Sequence, residues 1–362
     1  MNALDDDLCR RLTRVLARDL PLWRGAVLEP LRDMGLAHSH VRLVGRGVLA
    51  RVPKQSQMAL SPVDNLAYQA ACFERAAASG HTPALHQVMP VSDELPRGAL
   101  LVEDIVGRAA TLPQDLGAIA RALASIHALP LPHARERHPL NDVRDPLFAL
   151  LAEIENEARH LESAALGARV HDAIDVELER LRQLCGCPVR PAKTLVSFDA
   201  HPGNFIVRAD GEAVLVDLEK CRYSYPPLDL AHATLYTSTS WDLDNRATLT
   251  PAEVTATCEV WAAAFGRRAA DWRDWHLPLR RAMWLWSVTW CAKWRVVSKL
   301  PAPAVADGED WSAPSRATAL VDHVRERVDH YLSPEGVERV LTEFGALVEL
   351  LPGTTIATEA DR

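Results

Sequence analysis

No run in the chain approaches the roughly 18 uncharged apolar residues that a membrane-spanning helix needs, and residues 1–7 are acidic, without the apolar core of an export signal. Neither a membrane anchor nor a leader is expected, and the expected location is the cytoplasm. Cysteine is sparse. The seven residues Cys9, Cys72, Cys185, Cys187, Cys221, Cys258 and Cys291 are odd in number and scattered, which excludes a disulfide framework. Cys185 and Cys187 are the one close pair, and no second pair follows at chelating distance, so a zinc ribbon is excluded as well. Positive charge is not in excess: 40 Lys and Arg stand against 48 Asp and Glu, interspersed, for a net −8. A chain of that balance is not built to coat nucleic acid or an anionic membrane. Also missing are Gly-x-x-x-x-Gly-Lys-Ser/Thr, His-Glu-x-x-His and Gly-x-Ser-x-Gly, which removes P-loop, zincin and α/β-hydrolase chemistry. Gly45-Arg-Gly47-Val-Leu-Ala50 fits a dinucleotide-binding string, but it lies between β runs and opens no helix for a pyrophosphate. What remains is a folded, enzyme-sized chain of 362 residues, 48% apolar and 24% charged.

The hydrophobic period changes along that chain. After an opening helix over about residues 5–20, short β runs fall at 26–31, 40–45 and 48–53 with glycines between them. Pro62 opens a helix whose Leu66, Ala70, Phe73 and Ala77 recur at helical spacing until Gly80, and two more strands fall at 85–89 and 99–102. From Leu112 the pattern is helical: a stripe from Leu116 to His127, a stretch over 146–185 broken near Gly167, and a third over 251–351 with a loop at 301–314. Between the second and third, runs at 205–207 and 213–217 flank Asp210-Gly211, a strong hairpin signal. The pattern predicts an α+β protein with a small antiparallel-sheet lobe over 1–103, a larger mostly helical lobe over 104–352, and a loose tail over 353–362. Chemistry is expected in the cleft between lobes.

One segment concentrates oxygen ligands: Ser197-Phe-Asp199-Ala-His201-Pro-Gly203-Asn204, followed past the hairpin by Asp217-Leu-Glu219. Asp199 and Asn204 lie on a loop that Pro202 and Gly203 force to turn, and Asp217 stands at the hairpin exit, where its side chain can face the same point. Two carboxylates and an amide so placed suit phosphoryl transfer, in which a carboxylate accepts the proton of an attacking hydroxyl and hard oxygens hold Mg2+ on nucleotide phosphates. Here the sequence resembles the aminoglycoside phosphotransferase and choline kinase group, whose signature runs His-Gly-Asp-x-His-x-x-Asn, a hairpin, then Ile-Asp-Trp/Phe-Glu. The match falls at Asp199, His201, Asn204, Asp217 and Glu219. The resemblance implies a protein-kinase-like bilobal fold, ATP and Mg2+ as cofactors with GTP left open, Asp199 as catalytic base, and Asn204 and Asp217 as metal ligands, with His201 and Glu219 in support. Ser197 stands where the signature has its first histidine, a departure that bears on loop rigidity more than on chemistry.

The resemblance extends to both sides. Pro226-Pro-Leu-Asp229-Leu-Ala231 resembles the family's Asp-Leu-Ala element, with Asp229 bracing the catalytic loop; a plain helix N-cap is the alternative. The stripe ending Ile126-His127-Ala-Leu-Pro130 resembles the family's Leu-His-x-Leu-Pro, and His127 is read as a packing residue. Gly35-Leu-Ala-His38-Ser-His40 resembles the glycine-led turn over the nucleotide phosphates. On the strand over 48–53, Val48, Ala50 and Val52 share one face and leave Arg51 on the other, so Arg51 is the expected phosphate contact and Lys54 the runner-up. Its acidic partner on the next helix is replaced by Gln69, and that ion pair is expected to be absent. Leu100-Leu-Val-Glu103-Asp104-Ile-Val-Gly107 resembles the interlobe hinge, where the backbone at Glu103 and Asp104 would bond adenine.

Ten tryptophans are many for this length, and Trp284, Trp286, Trp290 and Trp294 crowd one predicted helix. Helical spacing makes them core, with a cage for a quaternary amine as the alternative. Asp242 and Asp244, beside Trp241, are candidates to meet a cationic acceptor, against a solvated loop. The expected function is transfer of the γ-phosphate of ATP to a hydroxyl of a small molecule such as an amine or aminosugar, with no nucleic-acid or membrane partner. Acceptor-binding residues and oligomeric state are not legible. The rival is a nucleotide-binding pseudokinase, suggested by Ser197 and Gln69 and opposed by the joint retention of Asp199, Asn204 and Asp217.

Overall fold

Alternation of apolar and polar residues builds the first layer. The computed structural model describes residues 3–31, 37–242, 246–300 and 318–351. In it α1 (Ala3–Asp19) is followed by β1 (Leu28–Pro30), β2 (His38–Leu43), β3 (Val48–Pro53), α2 (Pro62–Ala76), β4 (Leu85–Met89) and β5 (Ala99–Glu103). The strands form one antiparallel sheet in the order β1-β2-β3-β5-β4. On one face Val41, Leu43, Val48, Ala50, Val52 and Leu101 pack with Leu12, Val15 and Leu16 of α1 in a small core. The period of two sends Leu100 and Val102 to the other face, into a larger core shared with α2 and the helical region. Register places His40 of β2 opposite Arg51 of β3, so polar groups also collect on that second face. Helix α2 begins where the Ser61 hydroxyl accepts the Asp64 N–H and Pro62 pre-sets the first turn.

Past β6 (Arg108–Ala109) the chain turns helical with α3 (Leu116–His127), α4 (Pro146–Ala158) and α5 (Ala168–Gly186). Four short strands follow: β7 (Thr194–Val196), β8 (Phe205–Val207), β9 (Ala213–Leu215) and β10 (Arg222–Ser224). β8 pairs with β9 as the Asp-Gly hairpin, Gly211 taking φ 87°, and β6 adds to the free side of β8. β7 pairs with β10, two strands of three residues each, too short to leave a period in the sequence. β9 ends at Leu215, before the predicted 217, and the Val216 N–H carries the same register one pair further by donating to the Asn204 carbonyl at 2.9 Å. That one bond ties the hairpin exit to the loop that carries Asp199 and Asn204.

The remaining helices are α6 (Pro226–Thr234), α7 (Tyr236–Thr239), α8 (Pro251–Phe265), α9 (His276–Val297), α10 (Thr318–Tyr331) and α11 (Pro334–Leu350). α9 is apolar on most of its circumference and lies between α4, α5, α6 and α10, which is where a helix of that composition must go. Among the described residues no helix is long and apolar enough to cross a membrane. The predicted tail over 353–362 lies outside the described residues.

Candidate active site

β7 delivers the chain to Ser197 and Phe198, where the backbone reverses. Phe198 takes φ 57°, a left-handed conformation that is strained for a bulky residue. The signature has glycine here, so Phe198 is a second departure that reading the motif for its charged positions passed over. The turn is held by Asp229 of α6, which accepts the N–H groups of Ser197 at 2.7 Å and Phe198 at 2.8 Å. Asp229 also meets His127 Nε2 at 3.0 Å, and the Trp261 indole N–H donates to His127 Nδ1 at 3.0 Å. An acceptor at Nδ1 places the His127 proton on Nε2, so His127 donates to Asp229. The helix N-cap is Tyr225, so Asp229 does not cap. His127 is the next link in its support rather than packing alone, and Trp261 is a link the sequence did not suggest.

Beyond the turn, the Ser197 hydroxyl accepts the Asp199 N–H at 3.1 Å, and Asn204 Nδ2 donates to the Asp199 carbonyl at 2.9 Å. His201 Nδ1 accepts the Gly203 N–H at 2.9 Å, fixing the 3-10 turn Pro202–Asn204. The Asp199 carboxylate lies 2.9 Å from Lys220 Nζ through Oδ2 and 3.8 Å from His232 Nδ1 through Oδ1. Asp217, past the hairpin, is met by Arg51 Nη2 at 2.5 Å. Arg51 Nη2 also lies 3.1 Å from His38 Nδ1, while His38 Nε2 is 3.0 Å from Gln69 Oε1. His38 therefore bridges Arg51 and Gln69 by hydrogen bonds where an ion pair is expected to be absent. Glu219 accepts from Gln57 Nε2 at 2.8 Å and lies 3.7 Å from His38.

Burial sets the charges. It works against ionisation of Asp217, but Arg51 together with His38, Lys220 and the Glu219 N–H outweighs it and holds the carboxyl down at about 2. Burial and the Asp217 charge push Glu219 up to about 8, so near neutrality this pair carries one negative charge opposite Arg51. Burial and Arg51 keep His38 neutral, and burial and His232 lower His201 to about 4. Lys220 is the exception: burial favours the neutral amine, yet Asp199 and Glu219 raise its pKa and keep the ammonium.

The donor set suits a hard cation. The Asn204 amide nitrogen is committed to Asp199 and leaves its oxygen, and Asp217 is ionised, the two oxygen types that Mg2+ takes. Two expected positions are engaged within the protein through their N–H groups and side chains. Glu103 and Asp104 reach the end of β5, but their N–H groups are bonded to the carbonyls of Ala84 at 2.8 Å and Gly47 at 3.0 Å. Their side chains pair with Arg208 at 3.0 Å and Arg42 at 2.6 Å. Neither N–H is available to adenine. Gly35 and Asp244 lie outside the described residues. Of the four crowded tryptophans, Trp284, Trp286 and Trp294 are core, Trp286 also lying beneath Lys220 at 5.3 Å, while Trp290 packs against the core and meets Trp241 at 5.9 Å.

The model of the phosphotransferase enzyme family matches residues 40–276. Among solved structures, a choline/ethanolamine kinase family protein from Mesorhizobium loti is similar at 17% identity, TM-score 0.58, over 93% of this chain and 99% of that one. The ethanolamine kinase of Plasmodium vivax is similar at 12% identity, TM-score 0.61, over 91% and 89%. The GDP complex of wild-type aminoglycoside 2'-phosphotransferase-IIIa is similar at 14% identity, TM-score 0.55, over 93% and 98%. No curated protein matches the chain. The fold is that of the protein-kinase-like small-molecule kinases, an antiparallel-sheet region followed by a helical one.

Proposed function

The chain belongs to the phosphotransferase enzyme family, and from that premise we propose that it transfers the γ-phosphoryl group of ATP to a hydroxyl of a small molecule. The supporting observation is the linkage of Asp199, Asn204 and Asp217: Asn204 bonds the Asp199 carbonyl through its amide and the Val216 N–H through its own carbonyl, one residue before Asp217. Asp199 orients the acceptor hydroxyl. As the acceptor oxygen bonds to the γ-phosphorus, the bond to the ADP oxygen breaks, the hydroxyl proton passes to Asp199 and ADP departs with the bridging oxygen. The Asn204 oxygen and Asp217 would hold Mg2+, which would supply neutralisation of phosphate charge. Arg51 steadies the phosphates. Its Nε is buried without a partner in this structure, a donor that a phosphate oxygen would satisfy.

The GDP complex of the aminoglycoside relative keeps GTP open beside ATP. The proposed partners are a nucleotide and a small acceptor, not nucleic acid or a membrane, and the proposed location is the cytoplasm. Two contacts weigh against the pseudokinase reading: Asp229 anchors the loop at Ser197, and His38 joins Gln69 to Arg51. ADP release measured with Mg2+ across a panel of hydroxyl acceptors tests the proposal. Asp199→Asn should lower wild-type turnover by about 10^2 to 10^4 fold in a chain that remains folded by circular dichroism. Absence of Mg2+-dependent turnover in the wild type contradicts it.

A further inference from the structure

We propose that Lys220 is a built-in occupant of the cation position beside Asp199 and thereby sets the charge class of the acceptor, admitting neutral or anionic hydroxyl compounds and rejecting alkylammonium compounds. The inference rests on Asp199 being the group that meets the acceptor.

A carboxylate beside an aromatic face is the chemistry that recognises an alkylammonium ion. This site has both, and the chain fills it with its own side chain. Lys220 Nζ lies 2.9 Å from Asp199 Oδ2 and 5.3 Å from the centre of the Trp286 ring. The ring is fixed: its N–H donates to Glu153 Oε1 at 2.8 Å, and it makes edge contacts with Phe198 at 5.4 Å and His232 at 5.9 Å. Glu153 also takes Arg222 at 2.9 Å, and that guanidinium lies over the Phe198 ring at 3.7 Å. The platform under Lys220 is therefore braced from two sides.

An entering cation would find the Trp286 face covered and would share one carboxylate with an ammonium already in contact, a repulsion that grows as water leaves the site. His201 and His232, on the same side, are neutral and do not change that balance. Asp242, against His201, is the opposing charge nearby. An acceptor oxygen or carboxylate meets the reverse situation, since an ammonium has three donors and Asp199 uses one. Lys220 is thus a specificity-determining residue, and of the tryptophans that suggested an amine cage from sequence Trp286 serves an internal amine.

Tetramethylammonium chloride, titrated against the intrinsic tryptophan fluorescence of the full chain, tests this without requiring turnover. Wild type and Lys220→Arg should show no saturable response. Lys220→Met should open the position and bind the probe roughly tenfold or more tightly than either. Saturable binding to the wild type overturns the proposal, as does its absence in a Lys220→Met chain that melts like wild type. Lys220→Gln, which keeps a hydrogen bond to Asp199 without the charge, replaces the methionine variant should that fail to fold, and is read the same way. Wild-type ADP release judges the phosphotransferase reading separately, so failure of one leaves the other standing.

Discussion

Phe198 sets two effects against each other. A bulky residue at φ 57° costs about 1 to 2 kcal/mol of backbone strain that glycine would not pay. Its ring, fully buried between Arg222 and Trp286, is worth about 3 to 5 kcal/mol against truncation. Packing wins, so Phe198→Gly should destabilise the protein by about 2 kcal/mol in urea unfolding; a more stable variant would show that strain dominates. Glu219 gives a pH test. Its carboxyl titrates at about 8 folded and near 4.5 unfolded, so the unfolded chain loses its proton first and this contribution to stability is lost as pH rises from about 4.5 through 8. Glu219→Gln should remove that decline and gain on wild type by about 1 kcal/mol or more between pH 6 and pH 8.5. Parallel pH profiles for the two would contradict the assignment. Neither effect is readable from residue identity alone. A phenylalanine at the signature's glycine was visible, but its rotation was not, and the Glu219 shift depends on how deeply the fold buries it beside the Asp217 charge.

At the scale of elements, the catalytic loop is held by a buried line running from α8 through α3 to α6: Trp261, His127, Asp229. Trp261→Phe deletes the indole donor while keeping most of the ring, and should cost about 1 to 2 kcal/mol and lower kcat more than it raises the nucleotide KM. Unchanged kcat at reduced stability would make the line structural only. The hairpin, α2 and the Arg51 face of β3 were legible because turn chemistry, a proline start and a period of two are local signals. The line was not, since Trp261 and His127 are 134 residues apart and periodicity says nothing about which faces meet. The bonding at the hinge was hidden for the same reason: whether the Glu103 and Asp104 N–H groups are free depends on the carbonyls of Ala84 and Gly47 beside them.

Across the whole molecule, burial pushes His40, His201 and His276 down to about 4. Each is neutral when folded and protonates near 6.5 when unfolded, so the stability it contributes is present above 6.5 and is lost as pH falls toward 4. Melting temperature should drop steeply between pH 7 and 5, by an amount equivalent to at least about 2 kcal/mol, and a flat profile would contradict the burial of these rings. The overall α+β order was readable because sheet and helix segments alternate in long blocks, whereas the pairing of Lys220 with Trp286 emerged only once α9 lay against the catalytic loop. The most direct test of the centre built from Asp199, Asn204 and Asp217 is phosphorus NMR of ATP and Mg2+ incubated with the chain and a pool of small hydroxyl metabolites. A phosphomonoester resonance should grow with wild type and fail to appear with Asp199→Asn; no such resonance from wild type, or one undiminished in the variant, would contradict it.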